Sequence, residues 1–446
     1  MTDGQTDPIA DVPWDQSAVI VAGPGCGKSF RIGVRAKKFV DNGDVSRDDI
    51  AIVSLTRSTV RALRRDVEEG EVSTLHAFAL RELNRMGDAA HKKVVDEWEQ
   101  DKLVAPDLCI LMAEARVTPS VVGDFLKRLG TGFRENQEDP PNLSPIEMAL
   151  RERWLMLRSF MEFRLYDELA FDLLKHLESG AELPSPPKVI MADEYQDLTP
   201  CELALLRAIN KRHSTAIFAC GDDQQAIFGF RDADPLGLNN FCRVYELDAP
   251  IYLTESWRCP QVVCQLAEAI AGRLPPVAGL TQRPALEAHP TVQAGHIDIT
   301  SYPSPIRECR ETHGKIAALL QDDVPSTDIM VIVPSNLGLY VKMLNDSAAQ
   351  ETPHISYYDT RATAKVANSR EFRALYAFSR IGSDNNDHLA WRTLIWLAHG
   401  YGSTFVDRIL NAAATSFAAS LRGIGALNDH AGRFRSRPRS AVKVDG

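Results

Sequence analysis

Apolar positions in the first part of the chain gather in short runs, at Ala18–Ala22, Asp49–Leu55, Lys188–Ala192 and Ala216–Cys220. Runs of this length, separated by stretches with helical periodicity, predict strands buried on both faces and joined by crossover helices, an α/β fold. Helices are expected over Phe30–Val40, Thr59–Glu69, Cys201–Asn210 and Gln261–Ala271. Thr199-Pro200-Cys201-Glu202 reads as a capping box with proline in the first turn. Val72–Phe78 reads as a further short apolar segment ahead of a new helix. From about Asn84 to Ser185 the texture turns charged and helical, punctuated by Pro119, Pro140, Pro141 and Pro145. That stretch reads as a helical insertion into the sheet domain, with Trp98 and Trp154 as core residues.

Composition narrows the class. The chain has 446 residues, of which 44% are hydrophobic, enough for two to four domains. It has no apolar run of the length a membrane span needs, about 18 residues or more, and Met1–Trp14 is polar and acidic, so neither a span nor a signal peptide is expected and the default address is cytoplasmic. Eight cysteines lie scattered without C-x-x-C spacing and read as reduced packing residues. A net charge of −10 argues against indiscriminate coating of nucleic acid and leaves room for a local basic groove.

The chemistry begins where the first run ends. Gly23-Pro24-Gly25-Cys26-Gly27-Lys28-Ser29 stands between a strand and a helix, the setting of a phosphate-binding loop. Backbone N–H groups there can surround phosphate oxygens, Lys28 can reach the outer phosphates, and the Ser29 hydroxyl can ligate Mg2+. The loop therefore predicts a magnesium-nucleotide site. The third run leads into Asp193-Glu194-Tyr195-Gln196-Asp197, where Asp193 can hold the magnesium shell and Glu194 can polarise an attacking water. After the next strand, Gly221-Asp222-Asp223-Gln224-Gln225 offers glutamines to a γ-phosphate, while Phe228, Phe230 and Arg231 offer flat surfaces to bases. Leu55-Thr56-Arg57-Ser58 brings a hydroxyl and a basic side chain to the same sheet edge. His76, taken alone, reads as a packed core histidine.

These blocks, in this order, resemble the UvrD/Rep/PcrA-like branch of superfamily 1 helicases, six separate motifs matching at plausible spacing. The resemblance implies a RecA-like P-loop NTPase domain with a helical insertion, plus a second, incomplete RecA-like domain. Residues 1–84 and 185–272 would form motor domain 1, 85–184 the insertion, 273–400 the start of motor domain 2, and 401–446 the start of a second insertion and a basic tail. Lys28 would bind phosphates, Ser29 and Asp193 magnesium, Glu194 would act as base, Gln225 as γ-phosphate sensor and Arg258 as arginine finger. Trp257 would stack on adenine. Thr56, His76, Phe228, Phe230 and Arg231 would face single-stranded or partly duplex DNA.

The implied function is ATP-dependent DNA translocation or unwinding, with 3′ to 5′ polarity. An alternative is an ATP-gated DNA-binding regulatory or defence subunit without unwinding activity of its own, working with a nuclease or other protein partner. The chain departs from the family at Phe30, where relatives carry arginine, and at Leu55, where they carry phenylalanine. Phe30 and Trp257 are therefore expected to sandwich the adenine. Gln5 and Gln16 do not match the family's adenine-reading glutamine. Gly295–Tyr302, a helix at Ile306–Leu320, a strand at Asp328–Val333, the segment Glu371–Trp396 and Gly400-Tyr401-Gly402 resemble the opening of the second motor domain. Thr312–Lys315 does not make a fifth motif. Leu375–Arg380 resembles the sixth, with Arg380 as a second finger, although the residues after it suit an earlier helix. On this reading the chain binds ATP and single-stranded DNA with little hydrolysis and no unwinding unless a C-terminal segment is supplied.

Overall fold

A computed structural model of the chain describes residues 12–87, 93–273, 283–333, 335–352, 354–358, 366–398, 403–411 and 416–423. Gln5, Gly400-Tyr401-Gly402 and the tail from Arg433 lie outside these residues. The chain divides into two compact units, Met1–Gly295 with Arg380–Gly446, and His296–Ser379.

The first unit is built on a parallel sheet. In chain order it contains β1 (Ala18–Ala22), α1 (Lys28–Asp41), β2 (Ile50–Ser54), α2 (Arg57–Asp66), β3 (Glu71–Thr74) and α3 (Leu75–Arg85). The insertion follows, with β4 (Lys93–Val94), α4 (Ala105–Leu111), α5 (Pro119–Arg134), α6 (Pro145–Met161), β5 (Phe163–Arg164) and α7 (Glu168–Glu178). The chain then returns through β6 (Val189–Ala192), α8 (Pro200–His213), β7 (Ala216–Gly221), β8 (Ile251–Leu253), β9 (Glu255–Ser256), α9 (Gln261–Ala271) and β10 (Glu287–Ala288).

Six strands form one sheet in the order β3-β2-β6-β7-β1-β8, every pair parallel. Alternate side chains along β1 feed two cores. Val19 and Val21 enter one that includes the insertion, and Ala18, Ile20 and Ala22 enter the other, beneath α1 and α2. Burial on both faces is why these strands read as continuous apolar runs. Because all six strands run the same way, every loop that carries a candidate motif leaves the sheet at its C-terminal edge, where open α/β sheets bind ligands.

Two boundaries differ from the expectation in ways that matter. Val72–Phe78 is not one strand: it divides at Thr74, whose Oγ1 accepts the Ala77 N–H at 3.1 Å and caps α3. His76 and Phe78 thus lie in a helical first turn. Helix α1 starts at Lys28 rather than Phe30, so the loop lysine is itself in the helix.

The second unit contains α10 (Pro305–Gln321) and α11 (Leu337–Glu351), and α12 (Arg370–Ser383) runs across its boundary into the first unit. The strand expected at Asp328–Val333 forms no ladder: Ile329–Val333 is unpaired, with Met330 and Ile332 more than four-fifths exposed. Among its described residues this unit holds no paired strand.

The expected boundary at residue 400 also moves. α13 (His388–Leu397), α14 (Ser403–Leu410) and α15 (Phe417–Gly423) belong with the insertion instead. Arg392 forks onto Asp107 with Nη2 at 2.7 Å, both side chains buried. Trp396 meets Trp98 edge-on at 5.0 Å, and Phe417 meets Phe160 at 6.2 Å. Such contacts between segments nearly three hundred residues apart carry no local sequence signal.

Candidate active site

The phosphate loop is shaped by two glycines in left-handed backbone, Gly25 (φ 77°) and Gly27 (φ 82°). L-residues adopt that region reluctantly. At Gly25 a side chain would also collide, since a Cβ would lie 2.6 Å from Arg258 Cβ and from Ser256 Oγ. Two hydrogen bonds hold that closeness. Trp257 N–H donates to Gly25 O at 2.9 Å, and Ser256 Oγ donates to Pro24 O at 2.8 Å. The segment carrying Trp257 and Arg258 is therefore laced to the loop, with both of these side chains exposed beside it.

Lys28 is buried, and its Nζ donates to Ala22 O at 3.0 Å and Gly23 O at 3.5 Å. An ammonium has a third donor for a phosphate oxygen. Ser29 Oγ donates to Asp193 Oδ2 at 3.2 Å, bringing the end of β6 to the start of α1. Burial, with Glu194 beside it, pushes the Asp193 carboxyl up to about 6, partly offset by Lys28 and the Ser29 hydrogen bond. A hydroxyl and a carboxylate make a hard oxygen pair of the kind Mg2+ takes when water and phosphates complete its shell. Among the described residues no cluster of three or more His, Cys, Asp or Glu could hold a metal unaided. The donor set thus fits a nucleotide-borne ion.

Glu194 sits in left-handed backbone at φ 53°, ψ 47°, an unfavourable conformation for a non-glycine residue and one that turns its carboxylate out of the strand line. Its Oε2 accepts from Gln196 Nε2 at 2.9 Å, and Gln196 Oε1 accepts the Asp222 N–H at 3.0 Å. Asp222 Oδ2 in turn accepts from Gln225 Nε2 at 2.8 Å. The candidate base and the candidate γ-phosphate sensor are therefore tied into one network across β6 and β7. Gln196 lies within the Asp193–Asp197 motif, and only its contacts in the fold give it a part. Asp197 nearby is pushed up to about 7 by burial and by Glu194, with Arg231 and Lys28 opposing.

Phe30 and Trp257 are both about half exposed. Trp257 stacks on His289 with ring centroids 3.4 Å apart and planes 19° apart, so one of its faces is covered. His289 was missed because it lies far down the chain, held here by its N–H to Ser256 O at 2.8 Å.

The candidate nucleic-acid residues fall into two groups. Phe228 and Phe230 lie 5.6 Å apart with Arg231 over the Phe228 ring at 6.0 Å, and Phe230 is 79% exposed. A pocket of about 360 Å3 near the β3 edge is lined by Arg57, Arg61, Arg64, Thr74, His76 and Tyr166, among others. Thr56 caps α2, accepting the Thr59 N–H at 3.1 Å. His76 is buried, stacked on Tyr166 at 4.2 Å, with Nδ1 3.3 Å from Glu202 Oε1, so only part of it borders the pocket. Burial raises the Tyr166 hydroxyl, with Thr74, Arg57 and Arg231 offsetting in part. Tyr166, an insertion residue, was not singled out from the sequence.

Arg380 does not belong to this site. It pairs with Glu99 and, through Nε at 2.8 Å, with Asp387, inside the helical insertion. The second-finger reading of Leu375–Arg380 is corrected accordingly. No helix among the described residues is long and apolar enough to cross a membrane.

The model for the UvrD/REP helicase N-terminal domain matches residues 1–246. Relatives include the ATP-dependent DNA helicase srs2 of Schizosaccharomyces pombe, 22% identical over 56% of this chain and 32% of its own. The ATP-dependent DNA helicase PcrA of Staphylococcus aureus is 22% identical over 56% of this chain and 37% of its own. The ATP-dependent DNA helicase UvrD2 of Mycobacterium bovis is 24% identical over 82% of this chain and 56% of its own. The chain thus spans about a third to just over half of these relatives' lengths.

Proposed function

The chain belongs to the UvrD/REP helicase family through its N-terminal domain, and from that premise we propose that it is an ATP-dependent motor acting on DNA. It binds magnesium-ATP at the C-terminal edge of the sheet and holds single-stranded or partly duplex DNA over the adjoining Phe228–Arg231 hook and basic pocket. The observation that carries this reading is the convergence of Lys28, the Ser29–Asp193 pair and the linked Glu194 and Gln225 at one sheet edge, with Trp257 laced to the loop.

Lys28 supplies positive charge to the outer phosphates, and the loop's backbone N–H groups share that work. Magnesium, when bound, would neutralise phosphate charge and fix the nucleotide's orientation, held by Ser29 and Asp193. Glu194 is placed to take a proton from water. Gln225 keeps a second amide N–H and a carbonyl oxygen, suited to a phosphate oxygen and a water hydrogen. Arg258, exposed beside the loop, would meet charge that grows in the transition state. Travel is 3′ to 5′ by family resemblance.

Titration with a fluorescent ATP analogue tests the nucleotide site. Lys28→Ala should weaken binding by on the order of tenfold or more, the worth of a charge-assisted hydrogen bond. Equal affinity for both proteins would overturn the assignment. A second reading, an ATP-gated DNA-binding subunit that cooperates with a nuclease or other protein, is favoured by the engagement of Arg380 with Glu99 and Asp387, which leaves it unavailable as a second finger. DNA-stimulated hydrolysis and strand separation by the purified chain distinguish the two.

A further inference from the structure

Arg283 lies almost ninety residues beyond Gln196 and sixty beyond Asp222, in a stretch without any motif. Its side chain is nevertheless buried, and its Nε donates to Asp222 Oδ1 at 3.2 Å. Its Nη1 donates to Glu268 Oε1 at 2.8 Å on α9, and to Pro284 O at 3.0 Å. The guanidinium is thus clamped at both ends, and a planar fork held this way has little freedom to rotate.

Asp222 is the hub that receives it. Oδ1 accepts from Arg283 and from the Gln224 N–H at 3.1 Å, and Oδ2 accepts from Gln225 Nε2. The Asp222 N–H holds Gln196, which holds Glu194. Gly221 is needed for this approach, since a Cβ there would lie 2.4 Å from Gln196 Oε1. A buried carboxylate without a cation would be costly. With Arg283 in place, both oxygens of Asp222 have fixed directions, and so does the amide of Gln225.

We infer that Arg283 is a positioning residue for γ-phosphate recognition, acting through Asp222 on Gln225 and, through Gln196, on Glu194. This rests on the proposed nucleotide site. It also couples that site to α9, because Glu268 anchors the far end of the guanidinium.

The test is the ratio of magnesium-ATP to magnesium-ADP affinity, measured by calorimetry on the full chain, a quantity that general destabilisation does not move. Arg283→Met should leave ADP affinity at the wild-type value and reduce the ATP-over-ADP preference by about tenfold, one charge-assisted hydrogen bond to the γ-phosphate. Gln225→Ala should do the same, and adding Arg283→Met to it should cost nothing further, since both changes remove one interaction. If Arg283→Met does not fold, Asp222→Asn carries the test, because it removes the carboxylate that orients Gln225 while keeping an oxygen for Gln224. A wild-type ratio in the variants, or fully additive losses, would overturn the inference while leaving the nucleotide site standing. Failure of the wild-type chain to bind either nucleotide would overturn both.

Discussion

Ser29 Oγ lies 3.2 Å from Asp193 Oδ2, although 164 residues separate them. The pair forms because β6 and β1 flank β7 on either side and run parallel to it, so the segments that follow them leave the sheet at the same edge. Adding magnesium should strengthen ATP binding, and Asp193→Asn should abolish that gain while keeping metal-free affinity. The loss should be on the order of tenfold or more, since even outer-shell partners of a metal site are worth that much. Titrations with magnesium and with EDTA give the answer, and a variant that still responds to magnesium would refute the ligand assignment.

The base platform can be tested on its own. His289 covers one face of Trp257 at 3.4 Å, leaving the other for a purine. Phe30→Ala and Trp257→Ala should each weaken ATP and GTP binding alike, by roughly 5- to 150-fold, because aromatic stacking is worth roughly 1–3 kcal/mol per base and both purines stack. Unchanged affinity in Phe30→Ala would mark that ring as surface packing on α1.

For nucleic acid, the Phe228, Phe230 and Arg231 hook should bind single strands with little sequence preference, weakening as salt rises. Fluorescence anisotropy with a labelled oligonucleotide checks this. A Phe228→Ala, Phe230→Ala double variant that binds normally would rule the surface out.

Arg380→Ala should act on stability. Losing its pairing with the buried Glu99 and Asp387 should cost roughly 3 kcal/mol in urea denaturation, with nucleotide affinity unaltered. A loss of nucleotide affinity or turnover at unchanged stability would return Arg380 to the active site.

Glu168 supplies a pH dependence away from the site. Burial pushes its carboxyl up to about 7, against Arg158. A folded-state value above the unfolded one means the folded chain holds the extra proton, so this contribution to stability is complete below about pH 4 and is lost as pH rises through about 7. Urea midpoints at pH 5 and pH 8 should differ less in Glu168→Gln than in wild type. An equal difference would show that other groups carry the slope.

The strands β1, β2, β6 and β7 could be read from the chain to within a residue or two at each end, because burial on both faces writes itself as an unbroken apolar run. The phosphate loop was legible for a related reason: Gly25 and Gly27 are demanded by local backbone geometry, and local geometry leaves local residues. Tertiary structure alone decided the rest. Val72–Phe78 split at Thr74 because a hydroxyl at the strand end captured the Ala77 N–H, a competition that apolar periodicity does not register. Asp328–Val333 has a strand's composition but finds no ladder, since pairing requires a neighbour that composition cannot supply. The described residues of α13 to α15 joined the insertion through Arg392–Asp107 and Trp396–Trp98, and His289, Tyr166 and Arg283 reached the site from positions with no motif around them. Apart from the local cap at Thr74, each is placed by contacts among residues distant in the chain, and a contact of that kind depends on how the elements pack, which no single stretch of sequence encodes.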